Sequence, residues 1–126
     1  MLTNTDLIAD AIHDGNALVI TLHIDEIRNS DVAMTLRETM MELAAPANAE
    51  HILLDFSRVR YMGTIGFLAL MRLRRELPQA TICLCGLHER VAAAFEACKL
   101  TRRNGEQEAF FLTAQDVPSA LASIAE

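Results

Sequence analysis

The stretch Leu54-Asp55-Phe56-Ser57-Arg58-Val59-Arg60-Tyr61-Met62-Gly63-Thr64-Ile65-Gly66-Phe67 joins a strand end, a loop and a helix start. Its left end closes the run His51-Ile52-Leu53-Leu54-Asp55, whose continuous apolar centre suits a strand covered on both faces. Its right end opens an amphipathic helix from Thr64 to Leu77. Phe67, Leu70, Met71, Leu73 and Leu77 form the apolar side, Arg72, Arg75 and Glu76 the polar side, and Pro78 is the stop. Thr64 is expected to cap the amides of the first turn, and Gly66 to let another backbone approach closely at that end. A helix start with free amides also favours a phosphate or other anion.

Reading outward, Thr81-Ile82-Cys83-Leu84-Cys85 is a second buried strand, so strand, helix and strand imply a right-handed crossover between parallel neighbours. Upstream, Leu7 to His13 and Ala17 to Ile24 flank Asp14-Gly15-Asn16, a strong turn signal. In the second run Leu18, Ile20, Leu22 and Ile24 share one face by period two. Asn29-Ser30-Asp31 supplies capping side chains and an acid for a helix start. The helix follows with Val32, Leu36, Met40 and Leu43 inward and ends at Pro46. Downstream, a helix over His88 to Cys98 places Val91, Phe95 and Cys98 on one side. Thr101 to Glu106 is a polar connection, and Phe110-Phe111-Leu112 a short strand. Asp116 caps a last helix with Pro118 in its first turn and Ala120, Leu121 and Ile124 inward. The expected fold is α/β: one domain over 1–126, with a mixed sheet of four to five strands, an N-terminal hairpin and about four helices.

The totals fit that reading. The chain has 126 residues, 52% of them hydrophobic, which supports a packed core and argues against disorder. Without Trp and with one Tyr, that core is built from aliphatic side chains, Met and Phe. A net charge of −6 repels a phosphate backbone, so nucleic acid is not an expected partner. Met1 to Asp6 carry neither a basic nor an apolar leader segment, and no apolar run approaches the roughly 20 residues needed to span a bilayer. Three cysteines, Cys83, Cys85 and Cys98, read as reduced thiols of a cytoplasmic protein, so a cytoplasmic location without membrane insertion is expected.

In order of elements and in its motif the chain resembles the STAS domain family, the fold of the anti-sigma-factor antagonists. Family members carry a strand ending in Asp-Leu-Ser or similar, then a loop, then Met-Asp-Ser-Ser-Gly-Leu opening a helix. Here Asp55-Phe56-Ser57 matches the first signature and Met62-Gly63-Thr64-Ile65-Gly66-Phe67 aligns with the second. The match in layout extends through Gly86-Leu87 to the closing Ala120-Leu121 helix. The resemblance implies a regulatory binding module, not an enzyme. Its expected partner is an anti-sigma factor that is also a serine kinase of the ATP-binding, histidine-kinase-like type, docking on Asp55, Ser57, Arg58, Tyr61, Met62, Gly63, Thr64, Ile65, Gly66 and Phe67. In the family the second Ser of the motif is phosphorylated, which weakens that complex. Ile65 stands at that position here and Gly63 at that of the Asp. Thr64, aligned with the first Ser, keeps a hydroxyl and is the remaining phosphorylation candidate. The resemblance also admits a scaffold of a stress-signalling complex and a STAS subunit of a lipid-transport ATPase.

The remaining residues leave alternatives open. Arg58, Arg60, Arg72, Arg74 and Arg75 read as an electropositive edge or as a solvated face; Tyr61 and Met62 read as exposed contacts or as residues tucked under the loop. Cys83 and Cys85 point the same way from one strand, but no further ligand accompanies them and no metal site is expected. His13, His23, His51 and His88 are scattered. Met34, Met40 and Met41 read as helix core or its margin, or as flexible side chains suited to an adaptable interface. A small-molecule or nucleotide-binding domain is a further alternative, although no phosphate-loop pattern, nucleophile triad or paired carboxylates are present, and no cofactor or catalytic residue is expected.

Overall fold

Gly15 turns the chain back on itself at φ 64°, in the left-handed region that a side chain disfavours. The turn pairs β1 (Ala9–Asp14) antiparallel with β2 (Ala17–Leu22), in the register Ile12 opposite Val19. The computed structural model describes residues 8–98 and 111–125. After β2 the order is β3 (Glu26–Ile27), α1 (Ser30–Ala44), β4 (His51–Asp55), β5 (Tyr61–Met62), α2 (Thr64–Glu76), β6 (Thr81–Cys85), α3 (Glu89–Ala97), β7 (Leu112–Ala114) and α4 (Val117–Ala125). The main sheet has the order β1-β2-β4-β6-β7, and every pair in it except the first is parallel. This is the expected mixed sheet of five strands with an N-terminal hairpin and four helices. A second, two-stranded parallel ribbon pairs β3 with β5.

The centre of the sheet is buried on both sides, which is why β2, β4 and β6 read as near-continuous apolar runs. On one side Leu18, Ile20, Leu22, Ile52, Leu54, Ile82 and Leu84 pack against α1, α2 and α3. On the other, Ala17, Val19, Leu53, Cys83 and Cys85 meet Ala120 of α4, with Leu121 and Ile124 at the margin. Phe95 of α3 sits among Phe56, Phe67 and Phe111, with ring centroids at 6.4, 4.6 and 6.0 Å in edge-on arrangements.

Several boundaries move from the expected places. Asn29 caps α1 as read, its side chain accepting from the Val32 amide at 2.9 Å, but the buried stripe is Ala33, Leu36, Met40 and Ala44, with Val32 and Leu43 half-buried. Asp116 caps α4, accepting from the Ser119 amide at 2.8 Å. Cys98 is exposed and not part of the core side of α3, because the helix ends at Ala97. The last strand begins at Leu112; Phe111 is buried beside it, and Phe110, Leu7 and the connection Thr101 to Glu106 lie outside the described residues. Among the described residues no helix is long and apolar enough to cross a membrane.

Candidate functional site

The motif stretch lies where β4 and β6 end and α2 begins. Asp55, the last residue of β4, turns its carboxylate back to accept the Ser57 amide at 2.9 Å. This local turn exposes Ser57 while Phe56 drops into the core, fully buried, with its amide held by the Cys85 carbonyl at 2.8 Å. Gly86 passes against Ser57 with φ 71°: a side chain there would be strained by the left-handed backbone, although its Cβ would meet Ser57 only at ordinary contact distance, 3.4 Å from the Ser57 Cβ. His88 closes the same corner through Nε2 to the Ser57 carbonyl at 3.0 Å; since a carbonyl only accepts, Nε2 carries the proton.

The chain then climbs along the ribbon. Arg60 and Tyr61 donate their amides to the Asp25 carbonyl at 2.8 and 3.4 Å, and Gly63 donates to Ile27 at 2.9 Å. The Arg58 guanidinium lies 3.4 Å from the Asp25 carboxylate. Arg28 stacks over the Tyr61 ring at 4.3 Å and donates to Glu26 at 2.6 Å, which holds the Glu26 carboxyl below its ordinary range through that hydrogen bond and the neighbouring charge. Neither β3 nor β5 was visible in sequence, because two residues are too few to show a period.

At the helix start the expected role of Thr64 is corrected. The ribbon keeps the chain extended through Gly63, at φ −84° and ψ 179°, so Gly63 is the N-cap and no side chain caps α2. Thr64 is already helical, and its exposed side chain is not spent on the first-turn amides. Gly66 faces inward: a Cβ there would run into Cγ and Sδ of Met62 and lie 3.1 Å from Ile27 Cγ2. Close approach at Gly66 thus involves the Met62 side chain, not another backbone.

The residues named from sequence divide into two layers. Ser57, Arg58, Tyr61 and Thr64 are exposed, with Asp55, Gly63 and Ile65 half-buried between them. Met62 and Gly66 are buried and Phe67 packs its ring on Phe95, so these three support the surface from beneath. Leu68, one turn beyond Thr64, is 54% exposed and completes the outer layer. It was missed because a helical Leu next to an apolar stripe reads as its margin. Arg74 does not belong to an electropositive edge: it donates to the carbonyls of Leu77 and Ala80, fastening the end of α2, and partial burial lowers its pKa. Arg72 and Arg75 are exposed.

The Cys83 and Cys85 side chains lie under α4, on the sheet face opposite the one that packs α2. The hydrogen bond with Cys83 and burial push the Cys85 thiol up, which keeps it protonated and unreactive. Among the described residues no group of three or more His, Cys, Asp or Glu side chains is placed to hold a metal ion.

The STAS domain family model matches residues 10–117. No curated protein matches the sequence. Several solved structures share the fold, among them the following three. RsbS of Moorella thermoacetica, in a serine-to-glutamate variant, superposes with a TM-score of 0.68 at 15% identity, covering 93% of this chain and 94% of that one. The anti-sigma factor antagonist SpoIIAA in its unphosphorylated form gives 0.63 at 12% identity, over 93% and 97%. The murine Solute Carrier 26 family member A9 anion transporter gives 0.66 at 15% identity, covering 88% of this chain but 18% of the transporter.

Proposed function

The chain belongs to the STAS domain family, and from that premise we propose that it is a regulatory protein–protein interaction module of the anti-sigma-factor-antagonist kind, acting by binding and not by catalysis. The observation that carries the reading is the outer layer at the start of α2. Tyr61 and Leu68, large apolar side chains 44% and 54% exposed, flank the free hydroxyl of Thr64 on a backbone anchored from below by Met62, Gly66 and Phe67. A rigid, partly apolar surface of this kind suits a protein partner. SpoIIAA, which shares the fold, is an anti-sigma factor antagonist; the partner proposed here is accordingly an anti-sigma factor, and its ATP-binding serine kinase type follows from the motif resemblance alone.

Regulation differs from the family pattern. Ile65 offers no acceptor for a phosphoryl group, whereas Thr64 is exposed and uncommitted at a helix start that lacks an acid in its first turn. A phosphate on Thr64 adds roughly −1.5 to −2 charges in the middle of the contact surface while being favoured by the helix dipole. Thr64 is therefore the residue through which a kinase partner would loosen its own complex.

The test is calorimetric titration of the chain into the anti-sigma kinase of its own genome. Leu68→Glu is expected to weaken binding at least about tenfold, a loss of roughly 1.4 kcal/mol. Ile12→Glu, at a position 67% exposed on the far edge of the sheet, leaves it unchanged. Equal losses in both variants, or no binding by wild type, sink the reading. Binding instead to a transport ATPase or to a signalling scaffold would keep the interaction role and move the partner.

A further inference from the structure

Two exposed stripes run along the helical side of the molecule. On α1 they are Asp31, Met34, Glu38 and Glu42, and on α2 Thr64, Leu68, Arg72 and Arg75, each set spaced by three and four residues. The two helices pack side by side and run in the same direction, because each crosses back between parallel strands of one sheet. Each stripe holds one exposed apolar side chain, Met34 at 55% and Leu68 at 54%. The charges around them are opposite: acidic on α1, basic on α2. The ion pair between these helices joins Arg37 to Glu76 at 3.0 Å, outside both stripes, and none of the five stripe charges has an ionic partner within 4.0 Å among the described residues.

A face with one acidic and one basic helix is complementary to itself. A two-fold rotation lays α1 of one copy on α2 of another, and the same operation lays α2 on α1, so both contacts form at once. We propose that this face is a homodimer interface, in which Glu38 and Glu42 of one copy meet Arg72 and Arg75 of the next around the Met34 and Leu68 side chains. Charge complementarity selects a second copy: an acidic partner surface would be repelled by α1, and a basic one by α2. The inference shares Thr64 and Leu68 with the partner surface above, but it is argued from the charge pattern of the two helices and does not rest on the family.

The test is a charge swap followed by sedimentation velocity on the full chain from low to high micromolar protein. Wild type is expected to associate to dimers. Arg72→Glu with Arg75→Glu makes both helices acidic, and Glu38→Arg with Glu42→Arg makes both basic. Each variant alone is expected to self-associate at least about tenfold more weakly. An equimolar mixture of the two recovers dimer, because every contact in the mixed pair is again acid on base. All four positions are exposed, and circular dichroism checks that each variant keeps its helices. If one does not, the single changes Glu38→Gln and Arg72→Gln replace it, each expected to weaken the dimer. A monomeric wild type over the whole range, a dimer indifferent to the reversals, or a mixture that stays monomeric overturns the proposal.

Discussion

Gly66 and Gly63 stand three residues apart at the start of α2 and do different work. Gly66 gives up its side chain so that Met62 can lie flat beneath the helix. Gly63 has open surroundings, its nearest would-be neighbour being the Tyr61 hydroxyl at 3.5 Å, and occupies an N-cap with no side-chain bond to give. Gly66→Ala forces the buried Met62 aside, a crowding cost of about 1–3 kcal/mol. Better helix propensity returns roughly 1 kcal/mol of it, so the variant is expected to be less stable than wild type. Gly63→Ser adds a capping hydroxyl and is expected to raise stability by roughly a few tenths of a kcal/mol. Urea midpoints of the two variants against wild type decide the matter; a Gly66→Ala chain as stable as its parent means that Met62 shifts freely. The family pattern shows Asp where this chain has Gly63, so the missing cap is a departure with a measurable cost.

At the scale of elements, α4 is the thinnest piece: nine residues cover the second face of the sheet, and Asp116 starts it. The Asp116 carboxylate accepts hydrogen bonds from the Ser119 hydroxyl and amide, and these hold its pKa below the ordinary aspartate value of 3.8. A carboxyl depressed in the folded state stabilises the fold above its unfolded value and loses that effect as pH falls through its folded one. Asp116→Ala is therefore expected to unfold at lower urea than wild type at neutral pH. The gap should narrow as pH drops below the ordinary aspartate range; a gap constant with pH would assign the loss to something other than the charged cap. Elements like this one were legible in sequence when a cap or an uninterrupted apolar run marked them, as at Asn29, Asp116, β4 and β6. The inner face of α1 was legible in its large residues, Leu36 and Met40, but Ala33 and Ala44 carry too little hydrophobic contrast to outweigh Val32 and Leu43. The helix start at Thr64 was placed correctly, yet its cap was not. Whether a threonine caps or is capped depends on the β3–β5 ribbon, and pairing between two-residue strands leaves no trace in local pattern.

At the scale of the whole molecule, two demands fall on one helix. The partner surface proposed from the motif includes Leu68, and so does the self-complementary face of α1 and α2. A side chain buried between two copies is not free to meet a third protein, so dimer and heterocomplex exclude one another. Only the monomer is then competent, and the apparent affinity for the partner falls by the monomer fraction. Wild type is expected to bind the anti-sigma kinase more weakly as its own concentration rises through the dimer range. The Glu38→Arg, Glu42→Arg chain alters α1 alone and leaves the Tyr61–Thr64–Leu68 surface intact. It is expected to stay monomeric and to bind with an affinity independent of concentration. Titrations at several chain concentrations, followed by sedimentation of the mixtures, check this directly. A species holding two copies of the chain and the kinase together would show that the surfaces are compatible, and the competition would be lost even if each interface stood.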